Sequence, residues 1–481
     1  MASSMAAVLL VIGLVVGAGI GYAAVSASSG NHTVTSTITN TSTVTGGSGG
    51  GLTTVTTTVG SGSGGGGVST VTQTLVSTAT QTVSGGGGGG GAKTYTIGVV
   101  FPLTSSLAAF GKSFVQAVNL SLTEINTNLS NSGSQTRFKM VVADDQGTPS
   151  GALAAVTNLY TTDNVHVVIG PLTTAEVQGA LQYAQTNHIL LLPPASSGTA
   201  LNIPVFGSPD SYLIRPGQPG DQFESNALAQ TVNDFGIKYA AFLYSSDTSE
   251  AGTYNLTSSL LQADGVKTSG VEIQPLQSDY SGAVSTLSTN VQSFMSSGGT
   301  ANNTAVILCE HGTDAQNIMT HAASDATLSG VRWFGIEALN DNLLLNDTTV
   351  APFMAKVQLT ITTLYTPNSP QGTAFLSNFQ QTFGAPPEPF SNYAYDVANI
   401  AGLSILTAGT DNATALLPIV LVVSDHYFGA SGTPSYVDPK TGSQSIAYFA
   451  VDKEVQNGTV YTFSQIGLYD GATNLVTLTS K

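Results

Sequence analysis

The feature that most constrains the fold is a regular alternation of apolar strands and helices that begins at Lys93. Short apolar runs are separated by stretches in which apolar residues recur at helical spacing, as at Phe114, Val118 and Leu122. Strands that alternate with helices in this way predict a parallel sheet with helices on both faces. The first series has predicted strands at 94–101, 138–143, 166–169 and 189–192, and predicted helices at 113–126, 151–160 and 175–186.

A second series of the same kind follows Arg215. Two Rossmann-like sheets in tandem predict an α/β protein with two lobes and a cleft between them, and ligand pockets form preferentially at such junctions. The clearest strands of the second series lie at 239–244, 305–309 and 332–336, with helices at 222–235, 253–264, 280–296 and 314–322.

The N-terminal part of the chain does not share this pattern. Residues 6–24 are almost continuously apolar, which suits either a membrane-spanning helix or the hydrophobic region of a signal peptide. Residues 31–92 are a low-complexity mixture of Thr, Val, Gly and Ser that cannot bury a core. We therefore predict an anchor or signal helix at 1–30 and a disordered stalk at 31–92. A stalk needs an attachment at its far end, which favours retention of the helix.

Charged residues make up only 8% of the chain, and the formal net charge is −16. The 12 Lys and Arg residues are scattered, which argues against a nucleic-acid partner, because neutralising phosphates requires clustered cations. Neutral polar residues replace the missing charges, which fits either an acidic exterior or a glycosylated surface at neutral pH. Nine Asn-x-Ser/Thr sites accord with a location outside the cell: Asn31, Asn40, Asn119, Asn128, Asn255, Asn302, Asn346, Asn412 and Asn457.

The sequence carries no known catalytic motif. It has no Gly-x-Ser-x-Gly elbow, no P-loop, no His-Glu-x-x-His and no Cys/His spacing typical of a metal site. The single cysteine, Cys309, closes an apolar run and is expected to be a buried small residue. Asp144 and Asp145 lack a third acid at cation-loop spacing, so we expect them to cap a helix. We therefore predict that the protein is not an enzyme and has no metal or cofactor.

Seven short motifs follow one another in a characteristic order. They are IGVVFPLT at 97–104 with AAFG at 108–111, EIN at 124–126, ADDQG at 143–147, IGPLTT at 169–174, PPASS at 193–197, FGIE at 334–337 and NYAYDV at 392–397. Together they resemble the branched-chain amino-acid and amide binding proteins of ABC importers, which have the type I periplasmic binding protein fold. The resemblance covers nearly everything from Lys93 to the C-terminus.

The resemblance implies two discontinuous lobes joined by a three-segment hinge. We place the three crossings near Arg215, near 361–365 and near 429–434. This division assigns 93–214 and 363–430 to the first lobe, and 215–362 and 431–481 to the second lobe and the hinge return.

Two hydroxyl-rich turns are candidates for ligand contacts. Thr173 and Thr174 lie between a predicted strand and helix, and Ser196 and Ser197 follow the next strand. Strand ends of this kind bind ligands in open α/β sheets, although Thr at a helix start is also a common N-cap. The resemblance implies that Thr174 and Ser197 bind a ligand carboxylate and that the Ala195 carbonyl faces the ligand ammonium.

The remaining candidates come from the second lobe and from aromatic positions. Glu337 follows the strand at 332–336, and the resemblance implies that its carboxylate pairs with the ligand ammonium. Phe110 and Phe390 are the implied apolar walls, and His311 falls where the family often places an aromatic residue.

The resemblance implies an extracellular solute-binding receptor of an ABC importer, anchored by its N-terminal helix or secreted. It would close on a branched-chain-like amino acid or a small amide and deliver it to a membrane permease. The stretch at 245–252 departs from the family, which carries a ligand-capping tyrosine there, and Tyr254 is the nearest tyrosine. Two alternatives remain open, a ligand-sensing ectodomain and a surface-layer or adhesion protein.

Overall fold

The structure is a computed structural model that describes residues 92–480, except 106, 366, 368 and 434. It also describes two short strands, Ser42–Val44 and Thr53–Val55, which pair antiparallel. The predicted anchor at 1–30 and the rest of the predicted stalk lie outside the described residues. The larger of two compact units comprises Tyr95–Glu124 and Phe138–Lys481, and the elements below belong chiefly to it. The described part of the other unit is these two strands, 92–94 and 125–137.

The first lobe is built on a four-stranded sheet with strand order β2-β1-β3-β4. Its strands are β1 (Thr94–Phe101), β2 (Arg137–Asp144), β3 (Val167–Ile169) and β4 (Leu190–Leu192). Its helices are α1 (Ala108–Asn131), α2 (Pro149–Asp163) and α3 (Thr174–Asn187). Strand β3 pairs in parallel with β1 and β4, and all residues of β3 and β4 are buried, as expected for a sheet covered on both faces.

The second lobe is built on an eight-stranded sheet with strand order β12-β11-β10-β9-β8-β7-β5-β6. Its parallel strands are β5 (Tyr239–Ser245), β6 (Lys267–Ile273), β7 (Thr304–Cys309), β8 (Arg332–Gly335) and β9 (Thr360–Leu364). Three antiparallel strands extend it: β10 (Tyr448–Asn457), β11 (Val460–Asp470) and β12 (Leu475–Leu478). The helices of this lobe are α4 (Asp221–Asp234), α5 (Thr248–Ala263), α6 (Ser281–Ser296), α7 (Gly312–Ala323), α8 (Asn342–Leu345) and α9 (Val350–Lys356).

After β9 the chain returns to the first lobe through three helices. They are α10 (Pro370–Phe383), α11 (Ser391–Ala408) and α12 (Ala413–Asp425). The Ser113 and Ser391 hydroxyls lie 2.8 Å apart and join α1 to α11. The hydroxyls of Tyr212 and Thr414 also lie 2.8 Å apart and join the segment after β4 to α12. The first lobe is therefore discontinuous in sequence.

The chain between α12 and β10 forms a small ribbon. A small ribbon of two-residue strands, Val437–Asp438 and Ser443–Gln444, lies against the segment at 203–215 of the first lobe. The Arg215 N–H donates to the Gly442 carbonyl at 2.7 Å. These hydrogen bonds hold the ribbon against the 203–215 segment before the chain enters β10.

Each lobe has its own apolar core. In the second lobe, apolar residues are buried on both faces of the sheet, with Trp333 on one face and Phe334 on the other. Cys309 is fully buried in β7, as the sequence predicted. Within the described residues, no single helix is long and apolar enough to span a bilayer, and α11 with α12 meets that test only as a pair bent by 117°.

Candidate functional site

Acidic residues follow three neighbouring parallel strands of the second lobe. Asp247 comes after β5, Glu310 comes after β7, and Glu337 comes after β8. The carboxyl ends of parallel strands meet at one edge of a sheet, which is where open α/β sheets bind ligands. This edge, together with the turns of the first lobe, forms the candidate site.

Glu337 begins a short 3₁₀ turn, Glu337–Leu339, and its carboxylate is held from two other segments. The Gln218 side-chain amide donates to one carboxylate oxygen at 2.8 Å, and the Leu364 N–H donates to the other at 3.3 Å. The Glu337 N–H in turn donates to the Glu224 carboxylate at 2.7 Å. Hydrogen bonds from Gln218 and Leu364 therefore fix the Glu337 side chain beside the chain segments near 215 and 364.

Three carboxyl groups are crowded together at this point. Burial raises the pKa of Glu337 to about 8, and burial together with the charge of Glu337 raises the pKa of Glu224 well above its usual range. Burial also raises the pKa of Asp221 to about 6. In the described part of the chain, no Lys or Arg nitrogen lies within 4.0 Å of these carboxylates. The cluster therefore favours either bound protons or a positively charged ligand group.

Arg215 is a buried cation whose charge acts on Asp221. It partly opposes the effect of burial, which raises the pKa of that carboxyl group. Its guanidinium is committed elsewhere. It donates to the Ser196 carbonyl at 2.8 Å, to the Gly198 carbonyl at 3.3 Å and to the Asn202 side chain. Arg215 therefore holds the 195–198 turn in place instead of neutralising the acids.

The two threonines of the first turn have different roles. Thr173 is the N-cap of α3 and forms a capping box with Glu176, whose N–H it accepts at 3.3 Å. Thr174 is buried, and its hydroxyl oxygen accepts the Gly198 N–H at 3.1 Å. A side chain at Gly198 would clash, because its Cβ would lie 2.6 Å from that oxygen. Thr174 thus joins the two ligand turns predicted from the sequence, and Thr173 has the capping role.

The second turn is also tightly bonded. The Ser196 hydroxyl donates to the Leu172 carbonyl at 2.8 Å, which is a contact within the first lobe. The Ser197 hydroxyl bonds the Asp221 carboxylate, and the Ser197 carbonyl accepts the Asp221 N–H at 3.0 Å. Ala195, which precedes Ser196, is partly buried. The turn therefore connects the first lobe to the start of α4.

His311 lies in a different environment from the aromatic wall implied by the resemblance. It is the N-cap of α7, and its Nδ1 lies 3.2 Å from the Glu250 carboxylate and 3.3 Å from the Glu310 carboxylate. The hydrogen bond to Glu250 raises the pKa of His311 to about 9, so the ring is charged at neutral pH. Tyr254 is stacked on Tyr244 with a centroid separation of 3.8 Å.

A cavity of about 410 Å³ opens beside Glu337. Of the residues predicted from the sequence, it brings together Glu337 and Phe390, while Phe110, Thr173, Thr174, Ala195, Ser196, Ser197 and His311 lie outside its lining. Phe110 lies in the first turn of α1 and is partly buried. The cavity is lined by Glu337, Asn340, Thr363, Leu364, Pro367, Ser369, Gly372, Thr373, Phe375, Leu376, Pro387, Glu388, Pro389, Phe390, Asn392, Tyr393 and Ala430.

The lobes also touch on the other side of the candidate site. Helix α5 of the second lobe contacts α3 and the 3₁₀ turn Thr199–Leu201 of the first lobe. The Ser249 hydroxyl, in the first turn of α5, donates to Asp221 at 2.8 Å. Within the described residues, no group of three or more His, Cys, Asp or Glu side chains is arranged to hold a metal ion.

The sequence model of the periplasmic binding protein family matches residues 94–424. The chain belongs to the periplasmic binding protein family. The family resemblance inferred from the seven motifs is therefore confirmed, and so is the α/β fold with parallel sheets.

Solved structures of periplasmic binding proteins share this fold at low sequence identity. The leucine binding protein LivK of Thermotoga maritima has a TM-score of 0.60 at 17% identity, with 77% of this chain and 97% of that chain covered. A solute binding protein of an ABC transporter from R. palustris, in complex with 4-hydroxybenzoate, has a TM-score of 0.64 at 14% identity and covers 78% and 97%. LivJ of Streptococcus pneumoniae, in complex with isoleucine, has a TM-score of 0.58 at 17% identity and covers 78% and 100%.

A curated relative is also similar over most of its length. An uncharacterized protein of Methanocaldococcus jannaschii is 20% identical over 399 residues, which are 79% of this chain and 90% of that protein.

Sequence reasoning missed part of the acidic cluster of this periplasmic binding protein. Asp221 and Glu224 lie three residues apart in the first turn of α4, so both side chains fall on one helix face. The chain has few charged residues, so two acids at this spacing, directly after the first predicted crossing, could have indicated that they belong to the site. Gln218, the hydrogen-bond donor to Glu337, carried no signal of its own.

Proposed function

We propose that this periplasmic binding protein is the extracellular solute-binding subunit of an ABC importer. It captures a small ligand between its lobes and hands it to a membrane permease, while residues 1–30 anchor it or direct its secretion. The family match over 94–424 and the two-lobed fold support this role. The alternative functions, which do not involve transport, are a sensory ectodomain and an adhesion protein.

The observation that carries the ligand proposal is the environment of Glu337. Its carboxyl group lines a cavity, lies beside Glu224 and Asp221, and has no Lys or Arg nitrogen within 4.0 Å among the described residues. Buried carboxylates are costly unless a cation pairs with them. An ammonium group on the ligand would supply that cation, so an amino acid or a related amine is the preferred ligand class.

The first-lobe turns supply the donors that a ligand carboxylate needs. The Thr174 hydroxyl oxygen accepts the Gly198 N–H, so its own proton is available to donate to a ligand. The Ser197 hydroxyl, by contrast, already bonds Asp221. We therefore assign carboxylate binding to Thr174, ammonium binding to Glu337 with the Ala195 carbonyl, and a positioning role to Ser197.

An aromatic acid is a second candidate ligand. One structural relative is a complex with benzoate and another a complex with 4-hydroxybenzoate. A pKa of about 8 keeps Glu337 protonated at neutral pH, so the residue would not repel a ligand carboxylate there. This candidate predicts binding that does not require the Glu337 charge.

The experiment is calorimetric titration of the purified chain with leucine, isoleucine, urea and 4-hydroxybenzoate. For an amino acid, Glu337→Gln should lower the affinity by at least about 2 kcal/mol, as expected for removing one side of a buried charged pair. Glu388→Gln is the matched control, because Glu388 also lines the cavity but is exposed. Equal amino-acid binding by wild type and Glu337→Gln would contradict the ammonium proposal.

The same panel separates transport from adhesion. A ligand present at 100 times its Kd stabilises a protein by about 2.7 kcal/mol, which a thermal-shift assay detects. An adhesion protein should show no shift with any of these small molecules.

A further inference from the structure

The cavity beside Glu337 has more room than a branched aliphatic side chain occupies. Its 410 Å³ falls in the range of about 300–1,000 Å³ typical of ligand pockets. Leucine, for comparison, has nine non-hydrogen atoms in total. Much of the cavity would remain unfilled by such a ligand.

The walls of the cavity define the chemistry of an occupant. Phe375, Leu376, Phe390 and Tyr393 supply aromatic and aliphatic surface. The charged side chains in the lining are Glu337 and Glu388, and no Lys or Arg is among the lining residues. An apolar body attached to a cationic group complements these walls, whereas an anionic group placed in the cavity would find no positive partner.

Hydrogen bonds hold the walls in place. The buried Asp396 carboxylate accepts the Ala430 N–H at 2.7 Å and the Ser431 N–H at 2.8 Å, which ties the Ala430 wall to α11. The Glu388 N–H donates to the Ser113 hydroxyl at 3.0 Å, which fixes the segment before Phe390. The cavity is therefore a preformed site rather than a gap between mobile segments.

Leu376 marks the rim of the cavity on α10. Its side chain is 53% exposed, although it lines the cavity beside the buried Phe375. A ligand with an extended apolar body would cover this exposed surface and gain free energy in proportion to the area removed from water.

We propose that the ligand is an amino acid or amine with a large apolar body, of the size of an aromatic side chain, whose ammonium group binds Glu337 and whose apolar body fills this cavity. The proposal rests on the proposed function, since it assumes that Glu337 receives the ligand cation. It differs from the branched-chain specificity that the family resemblance implies.

The test uses alanine, leucine, phenylalanine and 2-phenylethylamine as probes in calorimetric titrations of the full chain. Affinity should rise from alanine to leucine to phenylalanine, with a gain of at least about tenfold in the last step. Leu376→Trp should narrow the cavity, lower the affinity for phenylalanine by at least about tenfold and change that for alanine by less than about threefold. The carboxylate-free 2-phenylethylamine should lose affinity in Leu376→Trp by a similar factor.

Ser377→Trp is the matched control, because Ser377 is the next residue on α10, is exposed and does not line the cavity. It should leave all four affinities unchanged. Leu376→Ala, which introduces no bulk, guards against misfolding of the Trp variant and should weaken phenylalanine binding without weakening alanine binding. If leucine binds as tightly as phenylalanine and neither Leu376 variant alters either affinity, the cavity does not hold the ligand. That result overturns this inference while a loss of affinity in Glu337→Gln would still uphold the proposed function.

Discussion

Binding of an ammonium ligand to Glu337 should release a proton. Burial raises the pKa of Glu337 to about 8 in the ligand-free protein, so its carboxyl group is mostly protonated at pH 6–7. The groups that face it are Glu224 and Asp221 on α4, Tyr393 on α11 and the Gln218 amide. A bound ammonium stabilises the ionised carboxylate and lowers its pKa, as any opposite charge at short range does.

The sign and size of the pH dependence follow from this shift. Well above pH 8 the carboxyl group is ionised before and after binding, so its titration adds no pH dependence to the affinity there. Between the pKa of the complex and pH 8, one proton leaves on binding, and the affinity falls by up to about tenfold for each unit that the pH is lowered. The carboxyl group is half ionised at pH 8 and about 1% ionised at pH 6, so the total loss between these pH values should be about fiftyfold.

Calorimetric titration of one ligand in two buffers of different ionisation enthalpy measures the released protons directly. We expect close to one proton at pH 6.5 in the wild type and close to none in Glu337→Gln. An aromatic acid bound to protonated Glu337 should behave oppositely, losing affinity as the pH rises through 8. If the affinity for an amino acid stays constant from pH 6 to pH 8 and no proton is released, Glu337 does not pair with a ligand cation.

Two further predictions concern residues away from Glu337. Thr174→Ala should weaken amino-acid binding by about 1.5–3 kcal/mol, because a charge-assisted hydrogen bond to the ligand is lost. Thr173→Ala should remove only a helix cap, which contributes about 0.5–2 kcal/mol to the free energy of unfolding. Calorimetric titration and thermal unfolding of both variants separate the two effects. Glu454 is buried in β10, neither of its carboxylate oxygens has a hydrogen-bond partner, and burial raises its pKa to about 8. A folded-state pKa above the unfolded value lowers the free energy of unfolding as the pH rises from about 4.5 to 8, so Glu454→Gln should raise the melting temperature at pH 8 and change it little at pH 4.5. A melting temperature of Glu454→Gln below that of the wild type at pH 8 would contradict this assignment.

The strands in the middle of each sheet were predictable because burial on both faces leaves a continuous apolar run. The predicted and observed bounds of β1 agree, and β7 and the predicted strand at 305–309 differ by one residue. Strand β6 lies at the edge of its sheet, and most of its residues are partly or fully exposed, so its sequence Lys267–Ile273 has no comparable apolar pattern. Helix α1 begins at Ala108, five residues earlier than the predicted start at 113, and Phe110 extends the apolar spacing of Phe114 and Val118 into this first turn.

The candidate site was predictable only where one residue carries a recognisable motif. Glu337 lies in the motif at 334–337, whereas Phe390 was implied by the family resemblance, and both line the cavity. The contacts of Glu337 with Gln218 and Glu224 span more than a hundred residues of sequence, so they exist only once the two lobe crossings are adjacent. The resemblance, which places an aromatic residue at the position of His311, did not anticipate its contact with Glu250 on another segment, although Glu310 directly precedes it in the sequence.

The guanidinium of Arg215 has a consequence for how relatives of this chain can diverge. Two of its three hydrogen-bond partners are the backbone carbonyls of Ser196 and Gly198, which any amino acid at those positions would provide. The third is the Asn202 side chain, which is specific to that residue type. Among the hydrogen-bond partners of Arg215, substitution at 215 is therefore coupled to the side chain at position 202, and these two sites should co-vary. A homologue that loses the arginine should have replaced the asparagine as well, since a partly buried amide oxygen that loses its donor weakens the folded state.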